Sequence, residues 1–554
     1  MTGRTSVRPV FRCTAVPELR TLGRVTTQTP PQPASVPPGA ASGKLDKDVL
    51  LVAGVVVLGA IMSILDITVV SVAQPAFQTV FDASPAQTAW TMTGYTLALA
   101  SVIPLTGWAA DRFGTKRLYM LALGLFTAGS VLCAAASSIE MLTVFRVLQG
   151  LGGGMLMPLG MTIMTRAAGP ARIGRVMAVL GVPMLLGPIF GPILGGWLID
   201  IASWHWIFLI NLPIGAVALV YAALVLPKDA PTPSESFDFV GMLLLSPGLA
   251  LFLYGVSSIP EAGTVWDTKV LLTAAVGLAL VALFVLRSLY RSPEHPLIDL
   301  HLFRNRSLSV AVIAMSLFAI AFFGASLLFP SYFLQVRGET TLQAGLLLAP
   351  QGIGAMLTMP IAGVLTDKIG PGKIVLAGIA VIVVGMAMFT QVAIEPSAVH
   401  LTQSGVDISD PSYLYLLSAL FIMGLGMGGT MMPIMTSALQ TLTHHETARG
   451  STLLNITQQV AASIGTALFS VLLTNGFNSS AAVGQLRSAV ESGSQPDPRI
   501  IPQAYSDMSS AFSEVFLVAT VLVALCFIPS LLLPRRKVVR TAEDDATPAM
   551  TMMH

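Results

Sequence analysis

Two charged residues lie deep inside apolar stretches of this chain, and most of the chemistry the sequence offers rests on them. Arg146 falls about seven residues into a run from Met141 to about Thr165. At 1.5 Å per helical residue that is roughly 10 Å below the nearer membrane face. An arginine at this depth costs on the order of 2.5–3.5 kcal/mol, so it is expected to face a polar cavity and to have a partner. Asp66 is the acid at comparable depth, also about seven residues from the end of its own run near Ala73. Loss of water favours a neutral carboxyl group and a neighbouring guanidinium favours a carboxylate, and these opposed influences make a switchable proton site. A purely structural ion pair is the competing reading.

The elements that must position this pair are membrane helices. The chain has 554 residues, of which 54% are hydrophobic and 10% charged, and a mean hydropathy of +0.77. Soluble domains are far less apolar, so the chain is read as a polytopic membrane protein. Runs of spanning length follow one another at about 49–73, 87–106, 117–137, 140–165, 174–198, 206–227, 239–258, 269–288, 308–333, 342–365, 373–393, 413–439, 449–474 and 512–534. That predicts fourteen transmembrane helices in an all-α protein.

Basic residues orient them. With the amino terminus in the cytoplasm, 25 of the 30 Lys and Arg fall on the inner side. The outer side keeps Lys269, Arg337, Arg487 and Arg499, while Arg146 lies within a span. The bias predicts an even span number and both termini in the cytoplasm. The first and fourth helices then run in opposite directions, which brings Asp66 and Arg146 to one level in the outer half.

Residues 1–47 are read as a disordered cytoplasmic tail and 535–554 as a second one. The outer segments at 394–412 and 475–511 are polar and are expected to form loops or short surface helices. Cys13, Cys133 and Cys526 have neither disulfide nor metal spacing, so no metal site is implied. The chain has no Gly-x-x-x-x-Gly-Lys-Ser/Thr loop for nucleotide phosphates. ATP is therefore not the expected energy source within this chain, and no cofactor is expected; the proton gradient as energy source is what the resemblance given below implies. No nucleic-acid partner is expected, and nothing outside the spans is large enough for a catalytic domain.

The chain also repeats itself. Pro104-Leu-Thr-Gly107-Trp-Ala-Ala-Asp111-Arg112-Phe-Gly114 returns 256 residues later as Pro360-Ile-Ala-Gly363-Val-Leu-Thr-Asp367-Lys368-Ile-Gly370. A weaker echo links Gly150-Leu-Gly152 to Gly424-Leu-Gly426. Duplicated halves around a central cavity suit a transporter that works by alternating access. Six spans then belong to 49–227, six to 308–534, and two helices in 239–288 are inserted between them. In this reading Asp111, Arg112, Asp367 and Lys368 form latches between the halves, with Gly107 and Gly114 shaping the first. Gln149, Asn455, Gln458 and Gln459 are candidates for a substrate cavity, interhelical hydrogen bonding being the plainer reading for the last three. Methionines such as Met155, Met157, Met423, Met427, Met431 and Met432 suit its apolar walls, packing alone being the plainer reading.

Five motifs resemble those of the major facilitator superfamily, and within it the fourteen-span drug/proton antiporters of the EmrB/QacA type. They are Leu65-Asp66-Ile-Thr68 up to Pro75, the loop Gly107 to Arg117, and Arg146 to Gly154. The fourth is Gly181-Val-Pro183-Met-Leu-Leu-Gly187-Pro188-Ile-Phe-Gly191-Pro192-Ile-Leu-Gly195-Gly196, and the fifth runs from Trp204-His205-Trp206 through Asn211 to Gly215. The resemblance covers about 49–535. It implies proton coupling through Asp66 beside Arg146, a conformational latch at the loop motif, and an antiporter helix in the fifth span. It further implies export of lipophilic, in part cationic, compounds across the cytoplasmic membrane, with a periplasmic adaptor as a candidate partner because some relatives use one. An exporter of an endogenous lipid, siderophore or secondary metabolite is the nearer alternative, and a non-transporting membrane sensor the remoter one.

Overall fold

Long apolar runs leave their backbone groups no partner but themselves, and helices satisfy every one of them. The computed structural model describes residues 46–169, 172–229, 237–262, 264, 266–290, 297–402, 405–408, 411–443 and 446–535. The amino-terminal tail up to residue 45, the carboxyl tail from 536, and His444 and His445 lie outside them.

Twelve helices among the described residues are long and apolar enough to cross a bilayer. In chain order with two others they are α1 (Lys47–Val72), α2 (Pro85–Phe113), α3 (Thr115–Ala134), α4 (Ile139–Ala168), α5 (Ile173–Ile201), α6 (Trp206–Val225) and α7 (Phe239–Ser257). There follow α8 (Thr268–Tyr290), α9 (Arg306–Gln335), α10 (Leu342–Ile369), α11 (Pro371–Phe389), α12 (Tyr413–Leu439), α13 (Glu446–Ser479) and α14 (Ile501–Ser530). The two others, α2 and α5, have 29 residues each and cover the expected second and fifth spans. Their ends are marked by local chemistry. Ser84 and Gln87 form a capping box ahead of α2, Ser138 caps α4, and Thr340 and Gln343 repeat the box ahead of α10.

The packing repeats as the sequence does. Helices α2 and α3 lie along α4, and α1 lies along α5; α10 and α11 lie along α12, and α9 along α13. A methyl group on Gly150, Gly152 or Gly154 would meet the carbonyls of Tyr95, Ala122 or Leu99. On Gly424, Gly426 or Gly428 it would meet those of Gln351, Gly378 or Ala355. Each of the second set of carbonyls lies 256 residues after its counterpart. Backbone contact of this closeness is how small residues hold membrane helices together.

The first half, α1–α6, meets the second, α9–α14, along two seams. Helix α5 lies on α10, and α2 lies on α13. The inserted pair α7–α8 forms its own tight hairpin, with Gly248, Gly255 and Gly277 at the contact, and α7 packs on both α2 and α13. Aromatic contacts tie it to α2, Trp90 stacked on Tyr254 and Trp108 tilted against Phe237 just ahead of α7, with centroids 5.5 Å and 4.4 Å apart.

One expectation needs correction. The segment 394–412 contains an antiparallel hairpin, Val399–Thr402 with Gly405–Ile408, which the sequence reading took as a loop or a short helix. Its β-branched residues alternate over too few positions to be told from a loop by pattern. Arg337 fixes it to the bundle by donating to the carbonyls of Ile408 and Pro411 at 2.8 and 2.5 Å. The segment 475–511 holds a surface helix, Ala481–Glu491, as expected.

Candidate functional site

Asp66 lies six residues before the end of α1 and Arg146 seven after the start of α4, so antiparallel helices bring them level. They form an ion pair, Arg146 Nη1 to Asp66 Oδ2, at 2.5 Å. Arg146 is 0% exposed and Asp66 2%. The same Nη1 donates to Gln149 Oε1 at 2.7 Å, and Arg146 Nε donates to the Thr91 carbonyl at 3.2 Å. The guanidinium carbon stands 4.1 Å from the centroid of the Tyr95 ring, a cation–π contact in a dry setting. Nη2 has no hydrogen-bond partner among the described residues.

The second oxygen of Asp66 is held from other helices. Gln149 Nε2 donates to Oδ1 at 2.8 Å and to Ser130 Oγ at 3.2 Å. Asn211 Nδ2 donates to Oδ1 at 3.4 Å and to Ser130 Oγ at 3.0 Å. Ser130 passes its own proton to the Phe208 carbonyl at 3.0 Å. Five helices of the first half, α1, α2, α3, α4 and α6, thus supply the cluster, and every contact just named is internal to that half. The expectation that Arg146 faces a polar cavity is therefore replaced by a closed network inside the first half. Burying the pair stays tolerable because its charges have compensating donors, acceptors and a ring face.

Gln149 was expected in a substrate cavity and is corrected to this cluster. It lies three residues after Arg146, hence on the same face of α4. Asn211, Ser130, Thr91 and Tyr95 were not singled out as site residues by the sequence. Asn211 stood in a quoted motif and offered a signal, being an amide inside an apolar helix; Ser130 offered none.

The antiporter motif lies beside α1. Helix α5 runs unbroken from Ile173 to Ile201; a methyl group on Gly187 or Gly191 would collide with Ile64 or Thr68, on either side of Asp66, and one on Gly195 would press on Val69. Gly196 has nothing within 4 Å. Of the Pro188 and Pro192 side chains nothing is described.

At the end of the bundle where α2 turns into α3, the repeated acids bridge the halves. Asp111 pairs with Arg166 of α4 at 3.3 Å and approaches Arg449 of α13 at 4.0 Å. Asp367 of α10 pairs with Arg175 of α5 at 3.4 Å and accepts the Gly174 N–H at 2.9 Å, where a helix amino terminus favours an anion. Gly107 lets α2 approach Arg449 and Thr452, and Gly363 does the same for α10 at Gly174 and Arg175. Gly114 and Gly370 turn the chain at φ 96° and 90°, a conformation costly for any side chain. The expected basic partners are corrected. Arg112 and Lys368 make no hydrogen bond or ion pair with a described residue, because adjacent positions on a helix point about 100° apart.

Asn455 donates to the Ser451 carbonyl at 2.8 Å and to Met161 Sδ of α4 at 3.2 Å, reaching across the seam. Gln458 and Gln459 are half-buried. A narrow apolar gap of about 10 Å³, room for little more than one water, lies between Gly181 of α5 and Phe318, Phe322, Met359, Met427, Met431 and Met432.

Residues 56–466 match the family model described as Major Facilitator Superfamily. The chain belongs to that superfamily. Among similar proteins is the multidrug resistance protein B homolog of Mycobacterium tuberculosis (strain ATCC 25618 / H37Rv), 51% identical over 89% of this chain and 92% of that one. The multidrug export protein EmrB of Escherichia coli (strain K12) is 30% identical over 76% of this chain and 79% of its own length. Among solved structures, the human organic anion transporter MFSD10 superposes with a TM-score of 0.54 at 16% identity, covering 86% of this chain and 100% of that one. The proton:xylose symporter XylE follows at 0.51 and 14%, covering 86% and 96%. At these identities the structures establish the major facilitator fold and nothing finer. The protein is therefore a multi-pass membrane protein of a transporter family, with two six-helix halves and a small-molecule cargo.

Proposed function

We propose that this chain is a proton-coupled antiporter that exports lipophilic, in part cationic, compounds across the cytoplasmic membrane. The observation that carries the reading is the buried Asp66–Arg146 pair, an acid and a base held level in the membrane with no role in joining the two halves. Relatives named for multidrug resistance and export supply the class of cargo. Both termini and the Asp111 and Asp367 latches lie on the cytoplasmic side in this reading, as the basic residues favour.

Protonation of Asp66 ends its ion pair and leaves Arg146 on the Gln149 oxygen, the Thr91 carbonyl and the Tyr95 ring. The cluster then carries one positive charge, which shifts the packing of α1 against α5. The latches close the cytoplasmic side in one state and part in the other, so the halves alternate in access.

The test is cargo flux in proteoliposomes under an imposed pH gradient, read with tetraphenylphosphonium as a lipophilic cation. Gradient-driven flux in the native chain that is lost in Asp66→Asn supports the proposal. Equal flux in both removes Asp66 from coupling, and flux insensitive to the gradient in the native chain overturns antiport.

A further inference from the structure

The turn from α2 into α3, which carries Asp111, is held from a side that the latch does not use. Asp229 lies just past the end of α6, and its carboxylate receives two N–H groups in the first turn of α3. Lys116 N–H donates to Oδ1 at 2.8 Å and Arg117 N–H to Oδ2 at 3.0 Å. Such N–H groups have no partner inside their own helix and form its positive end, so a carboxylate suits them. In return Lys116 Nζ donates to the carbonyls of Ala223 and Leu226 at 2.7 and 2.8 Å, where α6 leaves its last acceptors free. Each helix end supplies the charge the other lacks. Gly114 makes room for this clasp, since a methyl group there would lie 2.2 Å from the Asp229 carboxyl carbon. A cavity of about 510 Å³ borders the turn, with Val52, Ile163, Arg166 and Leu226 among its walls. Packing therefore does not press the turn from that side, and hydrogen bonds hold it instead.

The second half builds the same support from main chain. Helix α11 also follows a glycine at positive φ, Gly370, and its Gly372 N–H donates to the carbonyl of Pro534, just past α14, at 2.9 Å. In both halves the chain leaving the sixth helix caps the first turn of the third. In the first half that cap is a side chain, and a single substitution removes it.

We propose that Asp229 is a positioning residue for the Asp111 latch, clasping α3 to the end of α6 so that the α2–α3 turn stays where Asp111 meets Arg166 and Arg449. Arg166 donates to both sides of that turn, to Asp111 Oδ1 at 3.3 Å and to Thr115 Oγ1 at 2.9 Å. A turn that drifts from Asp229 therefore carries Thr115 and Asp111 away from Arg166, and Asp111 away from Arg449 across the seam. The inference rests on the latch role given above.

The experiment uses the full chain and two readouts. The first is the rate at which N-ethylmaleimide labels Thr452→Cys in detergent, quantified on that peptide by mass spectrometry. Thr452 is 1% exposed and faces Gly107 at the α2–α13 seam, so it reacts when the seam parts. The second is gradient-driven tetraphenylphosphonium flux in proteoliposomes. Asp229→Ala is expected to raise labelling and to slow flux by about fivefold each, the lower end of conformational coupling. Added to Asp111→Asn it should change neither further, because it acts through Asp111. Asp229→Asn keeps one acceptor oxygen and should fall between, which provides a test should the alanine variant fail to fold. Unfolding temperature reports the fold of each variant.

Losses that multiply to about 25-fold in the double variant, as independent sites would give, overturn the positioning role while leaving antiport intact. Labelling of Thr452→Cys that is unchanged in folded Asp229→Ala does the same. Flux that ignores the pH gradient in the native chain overturns antiport, and the labelling readout then still decides the positioning role, since it involves neither cargo nor gradient.

Discussion

The two halves of this molecule share a frame and differ in what the frame encloses. Gly129 lets α3 approach the backbone of Gln149, and Gly385, 256 residues later, lets α11 approach that of Met423. Matching outward from these contacts, Ser130 corresponds to Met386, Arg146 to Leu420 and Gln149 to Met423. Gly191 meets Thr68 and Gly465 meets Ile320, which sets Asp66 against Phe318. All four second-half residues are buried and apolar. The same helix contacts thus hold an ion pair with its amide and hydroxyl partners in one half, and methionine, leucine and phenylalanine in the other. Glycine contacts decide the architecture, and the side chains they enclose are free to diverge. One half can host charge chemistry and the other can present a soft surface, without any change of fold.

The sharpest test of this contrast exchanges chemistry at matched positions. Asp66→Asn should remove about 100-fold of gradient-driven accumulation in proteoliposomes, near the upper range of coupling energies between sites. Phe318→Leu at the matching position should leave the response to the gradient in place. Next in size is Arg146→Leu, which copies the second half and leaves a carboxylate buried alone. It should cost about 3–5 kcal/mol of stability, and Asp66→Asn added to it should recover part of that loss, since removing both charges of a buried pair is often nearly neutral. Unfolding temperature in detergent checks both, with Leu420→Met as a control expected to cost under about 1.5 kcal/mol.

Where the frame is shared, the halves should respond alike. Gly152→Ala and Gly426→Ala each force a methyl group into a facing backbone and should each destabilise by about 1–3 kcal/mol, measured in the same unfolding assay. A large effect in one half alone would break the correspondence. The smallest effect is expected at the latches. Asp111→Asn and Asp367→Asn should each slow transport by about fivefold, the lower end of conformational coupling, with cargo affinity kept. Unequal losses would show that the two bridges, one to a pair of arginines and one to an arginine and a helix end, are not equivalent.

Much of this was legible in the sequence because it depends on one-dimensional patterns. The helices were readable from run length, the Asp66–Arg146 pair from depth along two antiparallel runs, and the repeat from residues at a fixed offset. What was hidden depends on rotation about helix axes. Gln149 looked like a cavity residue until its face of α4 was known, and Arg112 and Lys368 looked like latch residues because they recur beside the acids in the repeated loop motif. Ser130 could not have been picked from the many serines of an apolar chain, since its role comes from two other helices meeting it. Seam partners such as Arg175 for Asp367 lie 192 residues apart and need the assembled halves.

The inserted hairpin gains a mechanical meaning from its neighbours. It touches α2 of one half and α13 of the other, yet the aromatic contacts described above, Trp90 with Tyr254 and Trp108 with Phe237 just ahead of the hairpin, both run to α2. In the alternating-access cycle proposed above, the hairpin is expected to ride with the first half, so that its face against α13 becomes a sliding bearing while the latches at both seams part and close.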